Sequence, residues 1–195
     1  MILRNFLNFI KQLLENITNQ FRSIYLNSSF YDKKISKIYY KELLYKPSPH
    51  LISSLIRYQT RKINVNEISI ENLWENKNKN NKNFKRLNNF YWFFSLDLKS
   101  PKKNTQKILS NWIRKNYKYN FESWEFDLTS KRIIAWLSNH NLTIDEAEKD
   151  YSNTFNIMLQ KQANHLIYEI RNSKKINDKI IGCAAIILVG LTYKD

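Results

Sequence analysis

Three histidines, one cysteine and five tryptophans are the residues from which this chain could build specialised chemistry. His50, His140 and His165 lie far apart and none has the paired spacing of metal ligands, so each reads as a surface or capping histidine. Cys183 stands alone, which excludes an internal disulfide and a cysteine-based zinc site. Gly182 and Gly190 are the only glycines, too few for a loop that cradles phosphate. No metal and no cofactor is expected, and no catalytic set can be assembled. The residues best suited to a ligand are Trp124, Arg132 and Trp136. Indole faces stack on sugar rings, and a guanidinium forks onto carboxylate or sulfate oxygens. Arg132 and Trp136 are also four apart on one helix face, where they can stack on each other as a packing pair.

The elements that must position these groups are mostly helical. With two glycines and three prolines, turn punctuation is scarce, which favours long helices. Ile2, Phe6, Ile10, Leu13, Ile17, Phe21 and Ile24 recur at three- and four-residue steps, with Arg4, Lys11, Glu15 and Arg22 opposite, and predict an amphipathic helix. Residues 32–49 read as a linker with a short helical or extended piece, and 51–58 as a short helix. Alternation over 62–70 predicts a half-buried strand. Asn76 to Lys85, rich in Asn and Lys, predicts an exposed loop.

Downstream, the spacing predicts helices to the end. Ser100 and Pro101 resemble an N-cap and first-turn proline opening a helix through Lys115. A short helix is expected from Leu128 to Asn139. Thr143 and Glu146 fit a capping box for a helix reaching Arg171. Ile180 to Tyr193 is apolar almost all round and is expected as a buried core helix needing neighbours on both sides. The N-terminal helices can cover only one side, so further cover from a C-terminal region or a second subunit is expected.

The formal charge of +15 and a pI near 9.8 favour polyanions: acidic polysaccharide, nucleic acid or acidic lipid. The lysines are spread along the chain, which is equally what a Lys/Asn/Ile-rich composition produces. No run reaches the ~18 apolar residues of a spanning helix. The first 19 residues lack the unbroken apolar stretch of a secretory signal, and the compartment stays open.

Three stretches together resemble the N-terminal region of the heparinase II/III-like polysaccharide lyases. The first is Leu73-Trp74 with Leu87-Asn88-Asn89-Phe90-Tyr91-Trp92. The second runs Trp124-Glu125-Phe126-Asp127-Leu128-Thr129-Ser130-Lys131-Arg132-Ile133-Ile134-Ala135-Trp136-Leu137. The third comprises Gln162-Ala163-Asn164-His165-Leu166 through Glu169, then Asn177, Ala184-Ala185 and Gly190-Leu191. They span about residues 60–193, and the second is the most specific.

The resemblance implies a mainly α fold: residues 1–58 a helical appendage and linker, residues 59–195 an incomplete (α/α) toroid. It implies β-elimination on uronate-containing acidic polysaccharide, which needs a neutralised carboxylate, a base and an acid. The family's later Tyr and His positions have no counterpart here, so this chain by itself is expected to be inactive. Asn177 stands where the family has Asn, but its neighbour is Asp178 rather than His. That carboxylate would repel a uronate by roughly 1 kcal/mol at 4 Å in water and about 4 kcal/mol at an effective dielectric of 20. Trp124, Arg132, Trp136 and Asn177 are thus the expected substrate-binding residues, with Asn177 alternatively capping the last helix. A non-catalytic basic protein that binds nucleic acid or an anionic membrane surface is the competing reading, and nucleic acid is the less favoured partner.

Overall fold

A computed structural model describes residues 2–40, 42–44, 46–47, 73–74, 82–97 and 99–193. The expected helix at 51–58, the expected strand at 62–70 and His50 lie outside these residues. The fold is mainly α, with no β-strand among the described residues. The helices are α1 (Ile2–Leu26), α2 (Ser29–Ile35), α3 (Lys82–Asn88), α4 (Lys102–Lys115), α5 (Phe126–Ser138), α6 (His140–Thr143), α7 (Lys149–Glu169) and α8 (Ile176–Thr192). A 3-10 turn at Tyr91–Ser95 follows α3.

The centre of the molecule is α5. It packs against α7, α8, α3 and the 3-10 turn, and its residues from Leu128 to Ser138 are buried except Lys131. The helix enclosed on every side is therefore α5, with its Thr, Ser and Arg, and not the apolar α8. Only a stripe of α8 is covered: Gly182, Ala185, Val189 and Thr192 face inward. Ile176, Ile180, Ile187 and Leu191 are 48–69% exposed. Small residues on the inward face let α8 lie close to α5. At Gly182 the ring of Phe126 occupies the space a Cβ would need, 2.3 Å from its ideal position.

An aromatic group fills the space beside α5. Phe90 is fully buried and touches the rings of Trp74, Trp92, Phe93, Trp112 and Trp136 at centroid distances of 5.1–6.0 Å. Its φ of 58° is left-handed, a conformation costly for a bulky side chain by about 1–3 kcal/mol. The ring contacts hold it there.

The segment after α2 is strapped to α7 by side-chain amides. Gln160 Oε1 accepts from the Tyr39 and Tyr40 amides at 2.9 and 3.1 Å, and its Nε2 donates to Tyr40 O at 2.6 Å. One turn on, Asn164 Nδ2 donates to the carbonyls of Ile35 and Lys37 at 2.8 and 2.9 Å. Asn156, Gln160 and Asn164 are four apart, so they form one row along α7. The row satisfies main-chain groups that would otherwise go unpaired against the helix.

Several local expectations are corrected. Lys82 to Lys85 belong to α3 instead of a loop, because buried Phe84 and partly buried Leu87 anchor a turn of helix on the core. Ser100 does not cap α4; Pro101 occupies that position and no side chain caps it. The Thr143–Glu146 capping box does not form. The Thr143 hydroxyl donates to Trp136 O at 2.9 Å, Glu146 has a φ of 58°, and α7 starts only at Lys149.

By contrast, the N-terminal periodicity yields α1 with the expected extent. Yet α1 packs on the rest mainly through its last turns, where Leu26 is buried and Arg22 pairs with Glu169. Phe6, Leu13, Phe21 and Ile24 are 48–70% exposed.

Candidate functional site

A cleft of about 700 Å³ lies where the last turns of α1 and α7 meet the first turns of α5 and α8. Its walls carry charges of both signs: Arg22, Lys85, Lys174 and Lys175 against Glu125, Asp127, Glu169 and Asp178. Most are already committed. Arg22 pairs with Glu169, Lys85 with Glu125 at 3.4 Å, and Asp127 with Lys131 at 2.7 Å. Lys174 and Lys175 are exposed, and neither has an acidic partner among the described residues. They are the cations left to receive an anion.

His165 lies at the base of the cleft, buried, which corrects the reading of it as a surface histidine. Its Nε2 lies 3.0 Å from Trp124 O, so that nitrogen carries the hydrogen and donates. Its Nδ1, 2.8 Å from Tyr31 Oη, then accepts the phenol hydrogen. Burial is the main reason its pKa is pushed down to about 3; nearby Arg132 and Arg22 push the same way, against the bond to Trp124 O. Tyr119, also lining the cleft, is pushed up to about 12 by burial, with Arg22 opposing. At neutral pH this imidazole is uncharged with both nitrogens engaged, and this phenol keeps its proton.

The expected substrate-binding residues separate. Trp124, Arg132 and Trp136 are fully buried. Trp124 borders the cleft, and Arg132 and Trp136 pack with Trp112 in the interior. Asn177 is exposed in the first turn of α8, beside Asp178 at the cleft wall. It does not cap α8, whose N-cap position is Lys175.

Arg132 holds the interior together. Its Nε donates to Gln162 Oε1 at 2.6 Å, and Nη1 to the carbonyls of Asn88 and Ser123, both at 2.9 Å. Nη2 donates to Thr129 Oγ1 at 3.1 Å, and the guanidinium lies 4.1 Å from the centre of a Trp112 ring. None of these partners is a carboxylate. Burial alone drives the pKa of this guanidinium well below its ordinary range, and neutral oxygens with an indole face stand in for the lost water.

A second buried cation, Lys161, was not singled out from the sequence. It pairs with Asp32 at 2.8 Å and donates to Tyr117 O at 2.7 Å, joining α7 to α2. A lysine within the apolar run Phe155, Met158, Leu159, Leu166 was the available signal. Among the described residues no cluster of His, Cys, Asp and Glu could hold a metal ion. No described helix is long and apolar enough to cross a membrane.

Compared with models of known families, with curated proteins and with solved structures, the chain matches none.

Proposed function

We propose that this chain is a helical module of the heparinase II/III-like kind, forming part of the wall of a cleft for uronate-containing acidic polysaccharide without cleaving it. One observation carries the reading. The three separated stretches that resemble the family converge on a single guanidinium. Asn88 comes from the first stretch, Thr129 and Arg132 from the second, and Gln162 from the third. His165, from the third, closes the same arrangement through Trp124 of the second. Residues spaced so far apart gain their meaning as one unit, as parts of a common family scaffold do.

The open edge of α8 agrees with a toroid in which further helices continue the array. Lys174 and Lys175 supply the unpaired positive charge for uronate carboxylates, and Asp178 narrows the choice of where a sugar acid can sit. His165 is engaged at both nitrogens, so the base of any β-elimination would have to come from another group.

The test is a binding titration with heparin, a neutral glucan and duplex DNA at matched ionic strength. Heparin is expected to bind best, and K174E/K175E to weaken it about tenfold or more. No unsaturated uronate product is expected. Preference for DNA, or heparin binding unchanged in K174E/K175E, would refute the glycan reading.

A further inference from the structure

We propose that α1 is a surface-lying membrane helix that seats its apolar face in a bilayer carrying anionic lipid. The helix is 25 residues long, roughly 37 Å at 1.5 Å per residue, and its side chains from Arg4 to Phe21 are exposed. Phe6, Ile10, Leu13, Leu14, Ile17, Phe21 and Ile24 fall on one side of it at helical spacing. All are 36–70% exposed, and nothing in the described fold covers them. Helices in proteins draw most of their stability from packing an amphipathic face, so this face calls for an apolar neighbour.

Charge decides which neighbour. At 100° per residue, Arg4 and Lys11 fall within a narrow arc along one border of the apolar side, with Glu15, the only acid in the helix, beside them; Arg22, in the same arc, is taken up by Glu169. Two copies packed face to face would bring together two chains that each carry +15. Anionic headgroups neutralise the same row, while the lysine and arginine stems lie along the apolar boundary. The presence of polar residues over half the circumference makes the helix lie along the surface, since no described helix can span.

Sedimentation of the full chain with vesicles tests this. Vesicles of phosphatidylcholine with one-third phosphatidylserine are compared with vesicles of phosphatidylcholine alone. The chain is expected to bind the anionic vesicles, release in high salt, and bind the neutral ones weakly. R4Q/K11Q is expected to weaken binding to anionic vesicles roughly twentyfold, and I10N/I17N to abolish it. All five tryptophans lie outside α1, so unchanged tryptophan emission certifies the rest of the fold in both variants. Heparin binding through Lys174 and Lys175 should persist in I10N/I17N, which keeps this proposal separable from the glycan reading. Equal binding to both vesicle types, undiminished binding by I10N/I17N, or a wild-type dimer that I10N/I17N dissolves in place of lipid binding would overturn it.

Discussion

Helices α5 and α8 lie against each other and break opposite rules. The first carries Asp127, Thr129, Ser130, Lys131 and Arg132 within its first two turns and is enclosed. The second is apolar over nearly its whole length and leaves Ile176, Ile180, Ile187 and Leu191 outside. Burial here follows position among neighbours rather than composition. Thr129, Ser130 and Arg132 enter the centre with fixed partners, and apolar groups remain outside where no described element reaches them.

The sharpest way to break this contrast is at Arg132. R132M keeps the volume roughly but leaves the Asn88 and Ser123 carbonyls and Gln162 Oε1 without their donor. Each such oxygen costs about 1–3 kcal/mol, partly offset by the vanished burial of charge. A net loss of about 3 kcal/mol or more in urea unfolding is expected, whereas a loss below ~1 kcal/mol would show the network to be dispensable.

Acid tests the second buried polar group. His165 is held neutral with its pKa lowered from 6.5 to about 3, so the unfolded chain binds a proton that the folded chain refuses. Its contribution is complete above about pH 6.5 and is lost as pH falls towards 3. The slope is at most about 1.4 kcal/mol per pH unit. Burial tends to raise the pKa of Asp145, but bonds from Lys46 and His140 win and hold it below 3.8, so its contribution is complete well above that pH and is lost as pH falls through it. Denaturation measured between pH 6.5 and 4 should therefore slope for the wild type and flatten in H165Q.

Two glycines probe how α8 meets α5. G182A drives a methyl into the Phe126 ring and should cost about 1–3 kcal/mol, as overpacking does. G190A meets nothing within 4 Å and should gain about 0.5–1 kcal/mol from the helix preference of alanine. Equal effects at both sites would mean that the close approach at Gly182 is unimportant. The smallest change is expected at I187N on the open face, within about 0.5 kcal/mol for this chain alone by thermal melting.

Periodicity made α1, α5 and α8 legible as helices because spacing is a local property. It could not say which face of α8 turns inward, since the buried Gly182, Ala185 and Val189 are on the whole less apolar than Ile180 and Ile187, which stay outside. Nor could it show that Arg132 and His165 are interior, because two of the partners of Arg132 lie 30 and 44 residues away and those of His165 lie 41 or more. The side-chain chemistry that suits Trp124, Arg132 and Trp136 to a sugar serves a core equally well, and all three are buried. The misread caps at Ser100 and Thr143 fail for a similar reason: the helices start where tertiary contacts allow, not where the first suitable hydroxyl occurs.

The left-handed backbone at Phe90 makes that position hard to alter by small steps. Glycine or asparagine would relax the main chain but empty the middle of five surrounding rings. Leucine would refill part of the space while keeping the strain. Each single replacement is thus uphill, and sequence drift in this neighbourhood should run through the surrounding aromatic residues while residue 90 stays put.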